Sequence, residues 1–123
     1  MAEAPRLFVC HGDEGGPKIH PCRRVQEALS VAAGVPTEIA EIGADVAAIA
    51  AQLAERGNPN LLGDALTAAL LAEAATRAAA ALVMINLKSF PDDERVDKTA
   101  RAVARSAESA ARARRILDVG LRL

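Results

Sequence analysis

Five side chains between positions 58 and 88 have the chemistry of a binding or catalytic site: Asn58, Asn60, Asp64, Asn86 and Lys88. A side-chain amide carries donors and acceptor together, so Asn58 and Asn60 suit the recognition of a polar ring edge, and Asp64 supplies a carboxylate just beyond them. Each also has a plainer role. Asn58 and Asn60 can cap the helix that follows, and an acid in a first turn faces the positive end of the helix dipole. Asn86 interrupts an apolar run, where a buried amide must find partners in a ligand or in the turn that ends its helix. Lys88 is a cation at that same end, favoured there by the dipole.

A second group lies near the start of the chain: Cys10, His11, His20 and Cys22. Their types suit a metal, yet adjacent Cys10 and His11 would point to opposite faces of a strand, so no metal is expected. Cys22 has a different prospect. A helix N-terminus beside Arg23 and Arg24 lowers a thiol pKa, which gives a thiol role a physical basis, while the expected reading of Cys22 stays a plain surface cysteine.

The elements that position these groups follow from composition. Of 123 residues, 29 are alanine and two are phenylalanine, with no Trp or Tyr, and 15 basic side chains nearly balance 16 acidic ones. The interior must be built from Ala, Leu, Val and Ile, which suits close-packed helices better than a sheet. High apolar content with a net charge of -1 argues against disorder, and two cysteines argue against a disulfide scaffold. The strongly apolar run Ala78 to Leu87 is too short to span a bilayer, and the first ten residues do not read as a secretory signal, so a cytoplasmic setting is expected.

Residues 1–23 read as a separate irregular segment, with a short strand at Leu7–Cys10 and a glycine-rich loop, and residues 24–123 as a helical domain. The pattern predicts a helix from Pro21 or Cys22 to Ala33, stopped by Gly34. A second helix carries the apolar stripe Ile39, Ile42, Val46, Ile49 and Leu53 and ends at Arg56, with Gly57 as a left-handed cap. A third runs from about Leu61 to Leu87, with alanine at ten of the seventeen positions from 65 to 81, and is expected to be central and largely buried. The spacing Ser89-Phe90-Pro91-Asp92 predicts the start of a fourth, with a seam at Val96, Ala100, Val103, Ala107, Ala110, Arg114 and Leu117. The expected fold is an all-α bundle of three to four helices. The stretch from Arg95 onward carries a net +5 against -6 elsewhere; lacking interleaved aromatics, it reads as a face that pairs with the acidic remainder rather than a nucleic-acid surface.

Four ordered motifs, V-P-T-E-I-A-E from Val35, G-N-P-N-L-L-G-D-A from Gly57, A-L-L-A-E-A-A from Ala69 and M-I-N-L-K-S from Met84, resemble the cyclodeaminase/cyclohydrolase family. That family includes the C-terminal domain of formimidoyltransferase-cyclodeaminase and stand-alone methenyltetrahydrofolate cyclohydrolases. The resemblance implies an all-α fold, a homodimer or higher homo-oligomer, and a one-carbon derivative of tetrahydrofolate as substrate, with no membrane or nucleic-acid partner. It also implies roles: Asp64 as the catalytic carboxylate, Asn58, Asn60 and Asn86 as pterin contacts, and Lys88 as attraction for a glutamate tail. The chain departs from the family in being much shorter, in lacking both its glycine-rich turn and the first-half carboxylate considered central to catalysis, in reading G-D-A-L-T at Gly63–Thr67, and in carrying leucine at position 82 where the family commonly has asparagine.

Two other readings stand beside this one. A non-catalytic helical remnant of the family would use its apolar faces for association. A glutathione- or thiol-dependent transferase would use Cys22, since L-F-V-C-H-G and H-P-C-R-R-V resemble the opening of a glutathione-transferase or glutaredoxin-like domain.

Overall fold

The computed structural model describes residues 23–120. Four helices follow one another: α1 (Arg23–Ala32), α2 (Gly34–Arg56), α3 (Leu62–Asn86) and α4 (Glu94–Gly120), with one 3-10 turn at Pro59–Leu61 leading into α3. No strand occurs among the described residues, and the all-α expectation holds. Helices α2, α3 and α4 each pack against the other two as an up-down-up bundle with short connections, while α1 leans lightly on its end. The strand at Leu7–Cys10, the set Cys10, His11, His20 and Cys22, and the thiol reading of Cys22 lie outside the described residues.

Gly34 does not stop the first helix. The break is a single residue, Ala33, whose φ of -72° and ψ of -15° are still helical. Hydrogen bonds from Ala33 N to Leu29 O (3.0 Å) and from Thr37 N to Ala33 O (3.1 Å) run on either side of it. Pro36 is the cause, because it has no N-H to give to Ala32 O. At the far end of α2, Gly57 is extended (φ -80°, ψ -170°) rather than left-handed, and its N-H closes onto Leu53 O at 2.8 Å. Glycine is required there for space: a β-carbon would run into that same carbonyl.

Helix α4 begins later than the Ser89 spacing predicts. Pro91 and Asp92 sit inside a turn closed by Asp93 N to Phe90 O (3.1 Å), and Asp93 is the true cap, its Oδ1 accepting from Arg95 N at 3.0 Å.

The interior is made almost wholly of methyl groups. Among the described residues, fourteen of the sixteen buried apolar side chains are alanine, the others being Val83 and Leu87. The predicted stripe of α2 is exposed: Ile42 is 61% accessible and Leu53 57%, and the buried face is Thr37, Ala40, Ala44, Ala47, Ala50 and Ala51. On α4 the buried line is Thr99, Ala102, Ser106, Ser109, Ala110 and Ala113, while Ala100 and Arg114 of the predicted seam face solvent. Buried hydroxyls are tolerated because each donates back to its own helix, as Thr99 does to Arg95 O (2.9 Å), Ser109 to Arg105 O (2.9 Å) and Thr76 to Ala72 O (2.8 Å). Small side chains on all three inner faces let the backbones close together, and the bulky aliphatics are left outside.

Helix α3 is buried on one side only. Ala69, Ala72, Glu73, Thr76, Ala79, Ala80 and Val83 face α2 and α4, whereas Leu71, Leu82, Met84 and Ile85 are exposed. By length and composition this helix could cross a membrane, because alanine extends the apolar stretch well beyond Ala78–Leu87. One face of it packs against α2 and α4.

Candidate functional site

The loop after α2 must turn within a few residues, and its polar side chains do the turning. Asn58 Oδ1 accepts from Asn60 N at 3.0 Å, which starts the 3-10 turn with Pro59 in its first position. The chain then enters α3, with Asp64 in the first turn, where the dipole favours its negative charge. Leu53, Gly57, Asn58, Leu61, Asp64, Ala65 and Ala68 line a half-open cleft of about 240 Å³ at this corner. Its lining is chiefly aliphatic, with Asn58 and Asp64 as its polar residues. That volume lies below the ~300 Å³ at which ligand pockets usually begin.

Asn58 and Asp64 both line this cleft. Asn60 is exposed on the adjoining turn and does not line the cleft. Asn86 and Lys88 are elsewhere. Asn86 ends α3, 22 residues from Asp64, and at 1.5 Å per residue an unbroken helix separates them by about 33 Å. Asn86 is half-buried in its last turn, so its amide reaches solvent, and Lys88 is exposed. Within one chain these two cannot join Asp64 around a single ligand.

Charged groups outside the cleft join the helices. Glu73 is 8% exposed, with Arg77 Nη2 3.0 Å from Oε1 and Arg114 Nη2 3.2 Å from Oε2. The Glu73–Arg77 spacing is visible in the sequence; the reach of Arg114 across from α4 is not. Between α2 and α4 three pairs run in parallel register: Glu41 with Lys98 (3.0 Å), Asp45 with Arg105 (2.7 Å) and Glu55 with Arg112 (2.7 Å). The two hydrogen bonds from Arg112 hold the Glu55 carboxyl below its ordinary pKa and raise that of the guanidinium in turn. Three of the seven basic residues of α4 thus pair with acids of α2. Arg101 lines the open groove over these pairs, together with Glu41, Lys98, Ala102 and Arg105.

At the other end, Arg95 ties three segments. It donates to both Asp93 oxygens (2.8 and 2.7 Å) and to Ser30 O and Oγ (2.7 and 2.9 Å), joining the cap of α4 to the end of α1. The Arg95 side chain, and then its backbone N-H, lower the Asp93 pKa to about 2. Among the described residues no three His, Cys, Asp or Glu side chains gather as metal ligands would.

A broader apolar groove of about 410 Å³ lies between α2 and α3, floored by Gly43, Ala72 and Ala75 and edged by Ile39, Ile42, Val46 and Leu71. It shares Ala68 with the cleft at Asp64, so the two form one continuous surface.

Comparison with known proteins gives this geometry a context. The profile of the formiminotransferase-cyclodeaminase family matches residues 17–105. A methenyltetrahydrofolate cyclohydrolase of Methylorubrum extorquens is 39% identical over 69 residues, covering 56% of this chain and 33% of that protein. The aligned stretch therefore spans about a third of the length of that relative. No solved structure matches the chain.

Proposed function

The chain belongs to the formiminotransferase-cyclodeaminase family, and on that premise we propose that it acts on a one-carbon unit carried by tetrahydrofolate, as a methenyltetrahydrofolate cyclohydrolase or formimidoyltetrahydrofolate cyclodeaminase. The observation that carries this reading is the 39% identity over 69 residues to a cyclohydrolase, in a chain whose Asn58 and Asp64 share one cleft. The folate derivative is substrate, and no resident metal enters the reading.

The chemistry suits a carboxylate over an apolar floor. A methenyl bridge between two folate nitrogens is cationic, and an anion beside it stabilises both the bound ion and the charge that shifts as water adds to the bridge carbon. In this reading Asp64 takes that role and accepts the proton the attacking water loses; one carbon-nitrogen bond then opens as the new hydroxyl becomes a carbonyl and its proton passes to the departing nitrogen. Leu53 and Leu61 offer apolar contact to a ring. The Nδ2 donors of Asn58 are left for it, because Oδ1 is engaged by Asn60 N. Asn60, on the turn beside the cleft, is a further proposed contact, and Asn86 and Lys88 join the same substrate in this reading only from another copy of the chain. The reading includes a homo-oligomeric working form in the cytoplasm.

The test is direct. Methenyltetrahydrofolate loses its near-ultraviolet absorbance on hydrolysis, so purified protein should accelerate that loss and Asp64→Asn should abolish most of the acceleration. No acceleration with either one-carbon substrate would remove the reading, and an Asp64→Asn variant at full rate would remove Asp64 from it.

A further inference from the structure

We propose that Asn58 sets the orientation and class of the pteridine: its side-chain amide, locked by the turn that carries it, donates to the carbonyl oxygen at C4 of the ring. The cleft then takes 4-oxo pteridines and turns their one-carbon bridge toward Asp64. This rests on the functional reading above and adds to it the edge by which the ring is held.

Three hydrogen bonds and one missing side chain make the lock. Gly57 N-H closes the end of α2 onto Leu53 O at 2.8 Å, in an extended conformation with no room for a β-carbon beside that carbonyl. Asn58 follows at once, so the close approach of Gly57 decides where its side chain stands on the lining of the cleft. The backbone oxygen of Asn58 accepts from Leu61 N at 2.9 Å, and its Oδ1 accepts from Asn60 N at 3.0 Å. Pro59, between them, has its φ fixed by its ring. An exposed asparagine would ordinarily be ordered only when a ligand arrives. Here the turn orders it beforehand, which removes part of the cost of binding.

The same bonds decide which end of the amide is which. Oxygen and nitrogen leave one planar carbon on opposite sides, so an oxygen that faces Asn60 N leaves Nδ2 turned from the loop. A flipped amide would set N-H against N-H, donor to donor. Asn58 therefore offers N-H groups to an occupant of the cleft, and Asp64 offers acceptors.

A pteridine has unlike edges. Its N3-H and 2-amino group donate, whereas the oxygen at C4 accepts and lies beside N5, one of the two nitrogens that the one-carbon bridge joins. N1 also accepts, but between two donors and across the ring from N5. The C4 oxygen thus matches Asn58 and carries the bridge to the same side, where Asp64 is the carboxylate of the cleft. With the ring reversed, the 2-amino edge opposes donor to donor and the bridge swings away. Leu53 and Leu61, 57% and 55% exposed, are available to the faces of the ring.

The test is a reversal of preference. Aspartate serves a capping turn as well as asparagine does, so Asn58→Asp keeps an acceptor for Asn60 N and presents a second carboxylate oxygen where Nδ2 stood. Calorimetric titration with tetrahydrofolate and with its 4-amino-4-deoxy counterpart reads the result without turnover. Wild type should bind the 4-oxo compound about tenfold more tightly, the usual scale of one matched hydrogen bond against an opposed pair. Asn58→Asp should prefer the 4-amino compound and keep its helical circular dichroism. The 2-desamino compound should bind wild type about as tightly as tetrahydrofolate. Equal affinity of wild type for the 4-oxo and 4-amino compounds, a 4-oxo preference that survives Asn58→Asp, or a greater loss from removing the 2-amino group than from replacing the C4 oxygen would each overturn the assignment. Hydrolysis of methenyltetrahydrofolate by a chain without this preference removes the role of Asn58 and leaves the functional reading standing. The preference without turnover of either one-carbon substrate overturns that reading instead, and a chain that binds none of these compounds overturns both.

Discussion

Gly43 of α2 lies directly against Thr76 of α3: a β-carbon at position 43 would overlap Thr76 Oγ1, a buried hydroxyl already committed to Ala72 O at 2.8 Å. The contact shows what holds the bundle together. Two backbones approach because one has no side chain and the other has a small one that satisfies itself.

Gly43→Ala should therefore lower stability by about 1–2 kcal/mol. Overlap in a packed interior costs ~1–3 kcal/mol, partly offset by the ~1 kcal/mol that alanine gains in a helix. Chemical denaturation measures it, and Gly43→Ala/Thr76→Ala should recover part of the loss. A stabilised single variant would contradict the close approach.

The buried Glu73 carboxylate predicts non-additivity. Arg77 and Arg114 each cover one oxygen and are each more than half exposed, so removing either singly should cost only about 1 kcal/mol or less. Removing both leaves a buried carboxylate without a partner, for which ~3–5 kcal/mol is usual. A double-mutant cycle with Arg77→Ala and Arg114→Ala should show a double loss greater than the two single losses together. Simple additivity would mean that Glu73 is solvated in the native state.

Stability toward acid should depend on Asp93. Its pKa falls from 3.8 in the ordinary carboxyl to about 2 in the folded chain, chiefly through the hydrogen bonds from Arg95. A group whose folded pKa is depressed stabilises the fold above its unfolded pKa and loses that contribution as pH falls toward the folded value. The stability gap between wild type and Asp93→Asn should be constant above about pH 5 and close between about pH 4 and pH 2. Hydrogen exchange offers a second check. Arg95→Ala should expose the amides of α1, since Ser30 loses both of its bonds to the guanidinium.

Asp64→Asn should reduce turnover of a methenyl- or formimidoyl-tetrahydrofolate by about 10²–10⁴-fold, the usual contribution of a positioned general base. Stability should change little, because the carboxylate is exposed and makes only a first-turn dipole interaction. Asn58→Ala should instead raise KM more than it lowers kcat if its amide contacts the ring throughout the reaction. A fold lost with Asp64→Asn would assign the residue to the helix start rather than to chemistry.

Much of this architecture is written locally. Helix content, the run of α3 from near Leu61, the arginine end of α2 and the neighbourhood of Asn58 with Asp64 all follow from residues within a few positions of each other. The family is legible too, in four ordered motifs. What local pattern misjudged was direction. Ile39, Ile42, Val46, Ile49 and Leu53 have the spacing of a buried stripe, and periodicity reports only that one face is apolar, never which face the neighbouring helix will choose. Three helices lined with alanine, serine and threonine come closer together than leucine and isoleucine would allow, so the small faces meet and the aliphatic ones turn outward. The same limit applies to the candidate site. Spacing places an asparagine and an aspartate at one end of α3 and an asparagine at the other, and only a rigid rod in three dimensions shows that a single chain holds them a helix length apart.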